Sequence, residues 1–588
     1  MKSLPAPHRC LLTCLAGLWL GWLSGCEQSA DSHNAHQLPV APAPPFHDAA
    51  EETGLVFQHD NGMSGALYMP EMMGAGVAVF DYDNDGRLDV FAVQGGALSP
   101  TAQTDGNPSA SHRLFHNELE TNPAGQPVLK FRDTTDAAGL TPGGYGMGAA
   151  AADFDGDGWC DLFLPYLGRN RLLRNSGHGT FEDITESAGV GVDGWHTSAS
   201  WVDYDRDGRL DLFVCRYLEW TFQNHRTCTN AAGAPDYCGP QSYVPARSRL
   251  YKNLGAGRFE DVSLASHIAS LPGAALGVVT GDFDGDGWPD LLVANDGMPN
   301  HLWINQKDGT FREEGLTRGC ALNAGGVAQA NMGVIAADFF NTGRDDLFIT
   351  HLVGEHATFY RNLGGGQFVD VTTSLGLDAP TRALTGFGTC AIDYDNDGHL
   401  DIFAVNGAVK IVESQVRAGI EPPLQQRSLL LHHAAGPAPR FNEITAGEAL
   451  AQQQIGRGLA VADLDNDGAA DLLISNNHGP LRLLLNDVGR KEHWIGLRLV
   501  AGTTDHRVDA LGAIATVEID GQQPLRRRCA ADGSYLSSSD PRVLFGLGPA
   551  DRVSRVRVRW PDGLTETWTG LEINRYHELV RGSGAALE

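Results

Sequence analysis

Positive charge is what this sequence has least of for its size. Across 588 residues, 43 Lys and Arg stand against 72 Asp and Glu, a formal net charge of −29. That balance works against long-range attraction to nucleic acid or an anionic membrane surface and suits divalent cations. Also missing is an apolar run that would cross a bilayer, since the stretch Cys10 to Leu23 is too short. No phosphate-cradling loop, haem-type Cys-x-x-Cys-His or His-Glu-x-x-His motif is found. The 72 glycines do not recur at every third position, which excludes a collagen-like rod and leaves many tight turns.

The short apolar stretch follows Lys2 and Arg9 and ends in Leu23-Ser24-Gly25-Cys26. It reads as a signal peptide over residues 1–26 that is cut before Cys26, the expected lipidation site of a bacterial membrane-anchored lipoprotein. Residues 27–45 are polar and rich in Pro and Ala, a composition expected to form a disordered tether. Seven cysteines follow Cys26, and only Cys228 and Cys238 lie close together, in an irregular insertion from about Glu219 to Pro245. In an exported chain they are the candidate disulfide, closing a short loop. Cys160, Cys215 and Cys390 fall in apolar strand patterns and are expected in the core.

Internal repetition dominates the rest. The pattern Asp-x-Asp-x-Asp-Gly-x-x-Asp occurs in full at Asp81, Asp83, Asp85, Asp89; at Asp153, Asp155, Asp157, Asp161; and at Asp203, Asp205, Asp207, Asp211. It returns at Asp282, Asp284, Asp286, Asp290; at Asp393, Asp395, Asp397, Asp401; and at Asp463, Asp465, Asp467, Asp471. A seventh copy from Asp338 keeps Gly343 and Asp346 but has Phe340 and Thr342 where carboxylates belong. Short apolar runs flank every copy, as Gly76 to Phe80 and Val90 to Val93 flank the first, and two more strand-like runs follow downstream. Four strands per repeat is the size of a propeller blade. The closing Phe-x-acid segments begin at Phe46, before any loop, and none follows the last loop. Phe46 to Ala49 is therefore expected to supply the final blade's outer strand and close the ring.

Alternate aspartates with Gly at the sixth place turn hard oxygen ligands around one ion, and the ninth aspartate closes the cage. An EF-hand would need Glu at the twelfth place, which here holds Ala92, Leu164, Val214, Val293, Ala404 and Ile474. Two carboxylates ~4 Å apart repel by roughly 4 kcal/mol at an effective dielectric of about 20, so four in one loop call for a cation. Calcium is expected in six loops and not in the Asp338 loop.

These loops, with Tyr68-Met69-Pro70-Glu71, Tyr237-Cys238-Gly239-Pro240, His493-Trp494, Gly512-Ala513, Phe545-Gly546-Leu547-Gly548 and Trp560-Pro561-Asp562-Gly563, make the chain resemble FG-GAP/VCBS-repeat proteins. More narrowly it is similar to the cartilage acidic protein family with its ASPIC/UnbV domain. The resemblance implies an extracellular calcium-binding propeller. The fold expected is all-β: a seven-bladed β-propeller over residues 46–490 and a small β domain over 491–582. In the latter, Val556, Val558 and Trp560 alternate with Arg555, Arg557 and Arg559, so an arginine row with Arg526, Arg527 and Arg528 nearby could meet an anionic glycan, the acidic propeller or local acids.

Five residues beyond each closing aspartate stand Gln94, Tyr166, Arg216, Asn295, His351, Asn406 and Asn476. With Trp195, His196, Glu355 and His356 they are the candidate ligand face at the mouth opposite the loops. The function expected is that of a monomeric surface interaction or adhesion module for a protein or glycan, touching a membrane only through its lipid. The alternative is an extracellular polysaccharide hydrolase or lyase drawing acid and base from His196, His351, Glu355 or His356.

Overall fold

The computed structural model describes residues 43–99, 111–121, 127–140, 143–502 and 506–587. Cys26 and the leader lie outside the described residues. In the first repeat Val77–Phe80 and Asp89–Ala92 pair antiparallel, Val77 opposite Ala92, with every side chain buried. Continuous apolar strands of this kind are covered on both faces by neighbouring sheets. Arg113–Asn117 and Phe131–Asp133 complete the sheet, and of the outermost strand only Phe131 is buried.

Six such four-stranded sheets occur among the described residues, each holding one aspartate loop between its two inner strands, and the Asp203 loop sits likewise in a sheet of six strands. The innermost strands touch in chain order: Val77–Phe80, Ala150–Ala152, Asp193–Val202, Ala275–Gly281, Val334–Ala337, Gly386–Ile392 and Gly456–Ala462. The last then touches the first, so the sheets close into a β-propeller. Phe46–Asp48 pairs with Arg482–Asn486, Phe46 opposite Asn486, and supplies the outer strand that the Asp463 repeat lacks. Docking begins at the last residue of the expected tether, since Pro45 is buried and its carbonyl accepts from Asp487 N at 2.9 Å.

Beyond the ring, His493–Gly502 and its partners form one sheet and Ile514–Glu518 and its partners another, packed over Ile495, Leu497, Phe545, Val556, Val558 and Trp560. The last strand, Ala585–Ala586, carries this domain past residue 582.

One segment of the C-terminal domain enters the propeller axis. Ser534 exchanges backbone hydrogen bonds with Val334 at 2.7 and 3.0 Å, and Ser538 does so with Val77 and Val79 at 3.0 Å. The Leu536 carbonyl accepts from Ala149 N at 3.0 Å, and Tyr535 Oη donates to Met73 O at 2.9 Å. This approach requires Gly76 and Gly148, where a Cβ would lie 1.9 and 2.7 Å from the Leu536 oxygen. Met147, Leu276, Met332, Phe387 and Ile455, each just before or at the start of an innermost strand, fill the axis around Tyr535 and Leu536. The 219–245 insertion adds Trp220, Tyr237 and Tyr243 to that cluster, and its Cys228 and Cys238 are joined in a disulfide.

Candidate metal centres

Each acidic loop is shaped by two left-handed residues. The fourth position is Asn84, Gly156, Arg206, Gly285, Asn341, Asn396 or Asn466, with φ between 51 and 80°. The sixth is always glycine, with φ between 83 and 93°. Asparagine and glycine tolerate this region best, and the two reversals curl the chain so that its N–H groups point inward. Asp81 accepts from Gly86 N at 2.9 Å and from Asp85 N at 3.1 Å, and Asp282 accepts from Gly287 N at 3.1 Å.

The ninth aspartate ties the loop to the sheet. Asp89 accepts from Tyr82 N at 3.1 Å and from Asn117 N, on the third strand, at 2.8 Å; Asp290 repeats this with Phe283 and Asn305 at 3.0 and 2.9 Å. The first, third and ninth carboxylates thereby converge, with oxygens within 4.8 Å of one another at Asp81/Asp83/Asp89, Asp153/Asp155/Asp161 and Asp203/Asp205/Asp211.

Two observations test whether these residues fit a metal. Buried oxygens on Asp83, Asp205, Asp282, Asp393 and Asp395 have no hydrogen-bond partner. Burial also pushes Asp89 up to about 9, Asp211 to about 8 and Asp153 to about 7, and raises Asp161, Asp290 and Asp471 well above the carboxylate range. Crowded, desolvated carboxylates with spare lone pairs fit a hard divalent cation. The third strand adds an unexpected neighbour, with His116 Nε2 3.0 Å from Asp83 and His432 Nδ1 3.2 Å from Asp401.

The Asp338 loop is built differently. Phe340 lies beneath the Arg361 guanidinium, 4.4 Å from ring centre to Cζ, and Thr342 N and Gly343 N each donate to Asp338 at 2.7 Å. Its eighth position is Asp345, where the other loops have Leu88, Cys160, Leu210, Pro289, Leu400 and Ala470. Arg526 of the C-terminal domain pairs with Asp345, lies 4.0 Å from Asp338 Oδ2, and is followed into the loop by Gln523, which donates to Asn341 O at 2.6 Å. Burial pushes Asp345 up, but the Arg526 and Arg528 charges override it and hold the carboxyl below its ordinary value. A fixed guanidinium thus stands beside Asp345 and beside Asp338, one of the two acids that this loop retains.

Three other loops are also contacted by the same domain. Arg559 donates to Asp282 Oδ2 at 2.9 Å, Tyr576 Oη to Asp463 Oδ2 at 2.8 Å, Arg542 to Asp463 O at 2.8 Å and Arg527 to Gly398 O at 3.3 Å. Arg555 and Arg557 instead face local Glu518 at 3.7 and 3.1 Å.

A recurring asparagine escaped the sequence reading. Asn117, Asn175, Asn253, Asn305, Asn362 and Asn486 each donate from Nδ2 to the second loop residue of the preceding sheet, at 2.8 to 3.0 Å, and so staple neighbouring sheets together. Their shared place at the end of the third strand was the available signal. His433 takes that place in the Asp393 sheet.

The expected ligand face needs correction. Gln94, Tyr166, Arg216, Asn295, His351, Asn406 and Asn476 are buried, as are Trp195 and His196. The chain turns sharply there, and these side chains satisfy the turns: Asn295, Asn406 and Asn476 donate to Pro299 O, Arg427 O and Pro480 O, each at 2.8 Å. Burial lowers His196 and His351 to about 3, so both are neutral and enclosed. Glu355 accepts from Ala330 N at 2.9 Å and His356 Nδ1 bonds Ala357 O at 3.1 Å.

The sequence matches the FG-GAP-like repeat over residues 153–214, 230–293, 282–349 and 338–404, and the ASPIC and UnbV family over 502–586. It is 26% identical to cartilage acidic protein 1 of Mus musculus, over 98% of this chain and 81% of that protein. Identity to cartilage acidic protein 1 of Homo sapiens is 25%, over 84% of this chain and 70% of that one. Among solved structures, a lectin of Agrocybe aegerita that recognises non-reducing terminal N-acetylglucosamine aligns at 15% identity and a TM-score of 0.36, covering 71% of this chain and 96% of its own. A lectin from Burkholderia pseudomallei aligns at 12% identity and a TM-score of 0.39, covering 71% and 97%. The chain carries FG-GAP-like repeats and a C-terminal ASPIC and UnbV domain, and is similar over most of its length to the cartilage acidic proteins.

Proposed function

We propose that this protein is an exported interaction module in which about six calcium ions brace the ring and the face opposite the loops meets a protein or glycan. The observation that carries this reading is the contact of the C-terminal domain with the loop face. Arg559, Tyr576, Arg542 and Arg527 of the protein's own C-terminal domain reach Asp282, Asp463 and Gly398, so metal in those loops would have this domain as its neighbour and a structural role, and a ligand would be met elsewhere. Calcium would be held by the first, third, fifth and ninth aspartates of each full loop and supplies charge neutralisation there. Anchoring through Cys26 would leave the module monomeric and tethered at the cell surface or in the periplasm. The test is capture: immobilised protein in calcium is challenged with surface extracts and polysaccharide mixtures. Retained material should be released intact by competitor. Recovery of shortened or unsaturated polymer would overturn the reading in favour of a hydrolase or lyase.

A further inference from the structure

On the face opposite the loops, a cleft of about 410 Å³ opens between the Asp393 and Asp463 sheets. That volume lies within the usual range of small-molecule sites, about 300–1,000 Å³. Its walls carry six side-chain amides, from Gln425, Gln452, Gln453, Gln454, Asn476 and Asn477, and neither Lys nor Arg.

Some of these amides hold the cleft and others are free to meet a ligand. Gln454 is locked, accepting from Arg482 Nη1 at 2.7 Å and donating to Ser428 Oγ at 2.8 Å. The Gln425 backbone is fixed by Gln415 through bonds of 3.0 and 2.6 Å, while its own side-chain amide makes no hydrogen bond among the described residues. Gln452 is held by its N–H to Glu448 O at 3.0 Å, and its amide is likewise unengaged. Asn476 is 2% exposed; its Nδ2 is spent on Pro480 O, and its Oδ1 has no partner. A buried acceptor left unpaired is costly, and a ligand donor would relieve that cost. The equivalent oxygen of Asn295 is also unpaired, but it is closed over by Gly273, where a Cβ would lie 2.5 Å away.

We propose that this cleft binds a neutral saccharide unit. Primary amides present a donor and an acceptor side by side, which matches adjacent hydroxyls. No Lys or Arg gives an acidic sugar a counter-charge, His478 being the one basic side chain in the lining, and the one carboxylate, on Glu421, opposes it. Pro422 and Pro480 add apolar surface for a sugar's C–H faces. The assignment rests on the interaction-module reading and narrows its ligand.

The test is a glycan array carrying neutral and acidic glycans, probed with calcium-loaded wild type and with Gln425→Ala, Gln452→Ala and the double variant. Gln452 is exposed and Gln425 half-buried, so unchanged melting temperatures are expected. Wild type should retain neutral glycans, and the double variant should lose about tenfold or more in affinity. Neutral-glycan binding that survives both substitutions would overturn the site while leaving the module reading intact. Preference for acidic glycans, or retention of a protein partner and no glycan, would overturn the saccharide assignment.

Discussion

At the scale of single residues, the most informative contrast lies between Asp284 and Asp338. Asp284 stands in a full loop, whereas Asp338 caps Thr342 N and Gly343 N beside an arginine. Replacing Asp284 by Ala should therefore destabilise the protein in calcium and much less in chelator. Asp338→Ala removes the acceptor of two partly exposed donors and should cost about 1 kcal/mol with or without metal. Thermal melts of both variants in both conditions check this, and an equal calcium dependence for the two would refute it. Arg526→Gln should be more damaging, because it strands the buried Asp345 carboxylate, at about 3–5 kcal/mol. Adding Asp345→Leu, the residue found at that place in the Asp81, Asp203 and Asp393 loops, should recover most of the loss in a denaturant titration.

At the scale of the loop, protons and metal compete for the same buried carboxylates. Asp89 has a folded value of about 9, while the unfolded chain titrates near the ordinary value of about 3.9. Between those values the metal-free folded state binds more protons than the unfolded state, so its stability must fall as pH rises from about 6 to about 9. Calcium displaces those protons, so calcium-loaded protein binds no more of them than the unfolded chain and should hold its stability over the same range. Melting temperatures with calcium and with chelator should diverge as pH rises, and parallel curves would sink the metal reading. At a hundredfold excess over its dissociation constant, each bound ion adds about 2.7 kcal/mol. These aspartates were legible in the sequence because loop ligands follow one another along the chain. The asparagine staples were not, because Asn117 and Leu464 are joined only by ring closure.

At the scale of the whole molecule, stability depends on two closures. Phe46–Asp48 holds the last sheet to the first part of the chain, with Arg482 donating to Asp48 at 2.6 Å from a position that is almost fully buried. Removing residues 43–48 should expose the edge of Arg482–Asn486 and lower the melting temperature by several degrees or more, accompanied by concentration-dependent association in light scattering. An unchanged melt would show that the ring needs no such strand. The second closure is the Ser534 to Ser538 segment in the axis, which ties the C-terminal domain to the innermost strands of sheets far apart in sequence.

The repeat period, the strand pattern, the loop chemistry and the out-of-phase Phe46 strand could all be read from the sequence alone, because each rests on residues within one repeat or on counting repeats. The alternation of Val556, Val558 and Trp560 with arginines likewise declared two faces. Which acids those arginines meet was decided only in three dimensions: Arg559 crosses to Asp282 while Arg555 and Arg557 stay with Glu518. The same holds for Asn295, His351 and Asn406. Their polarity suggested an open mouth, but the fold buries them, since a sharp turn at the end of a buried strand leaves backbone carbonyls that only nearby side chains can satisfy. Local chemistry follows from neighbours along the chain, whereas exposure and partnership across domains follow from packing, which no single repeat encodes.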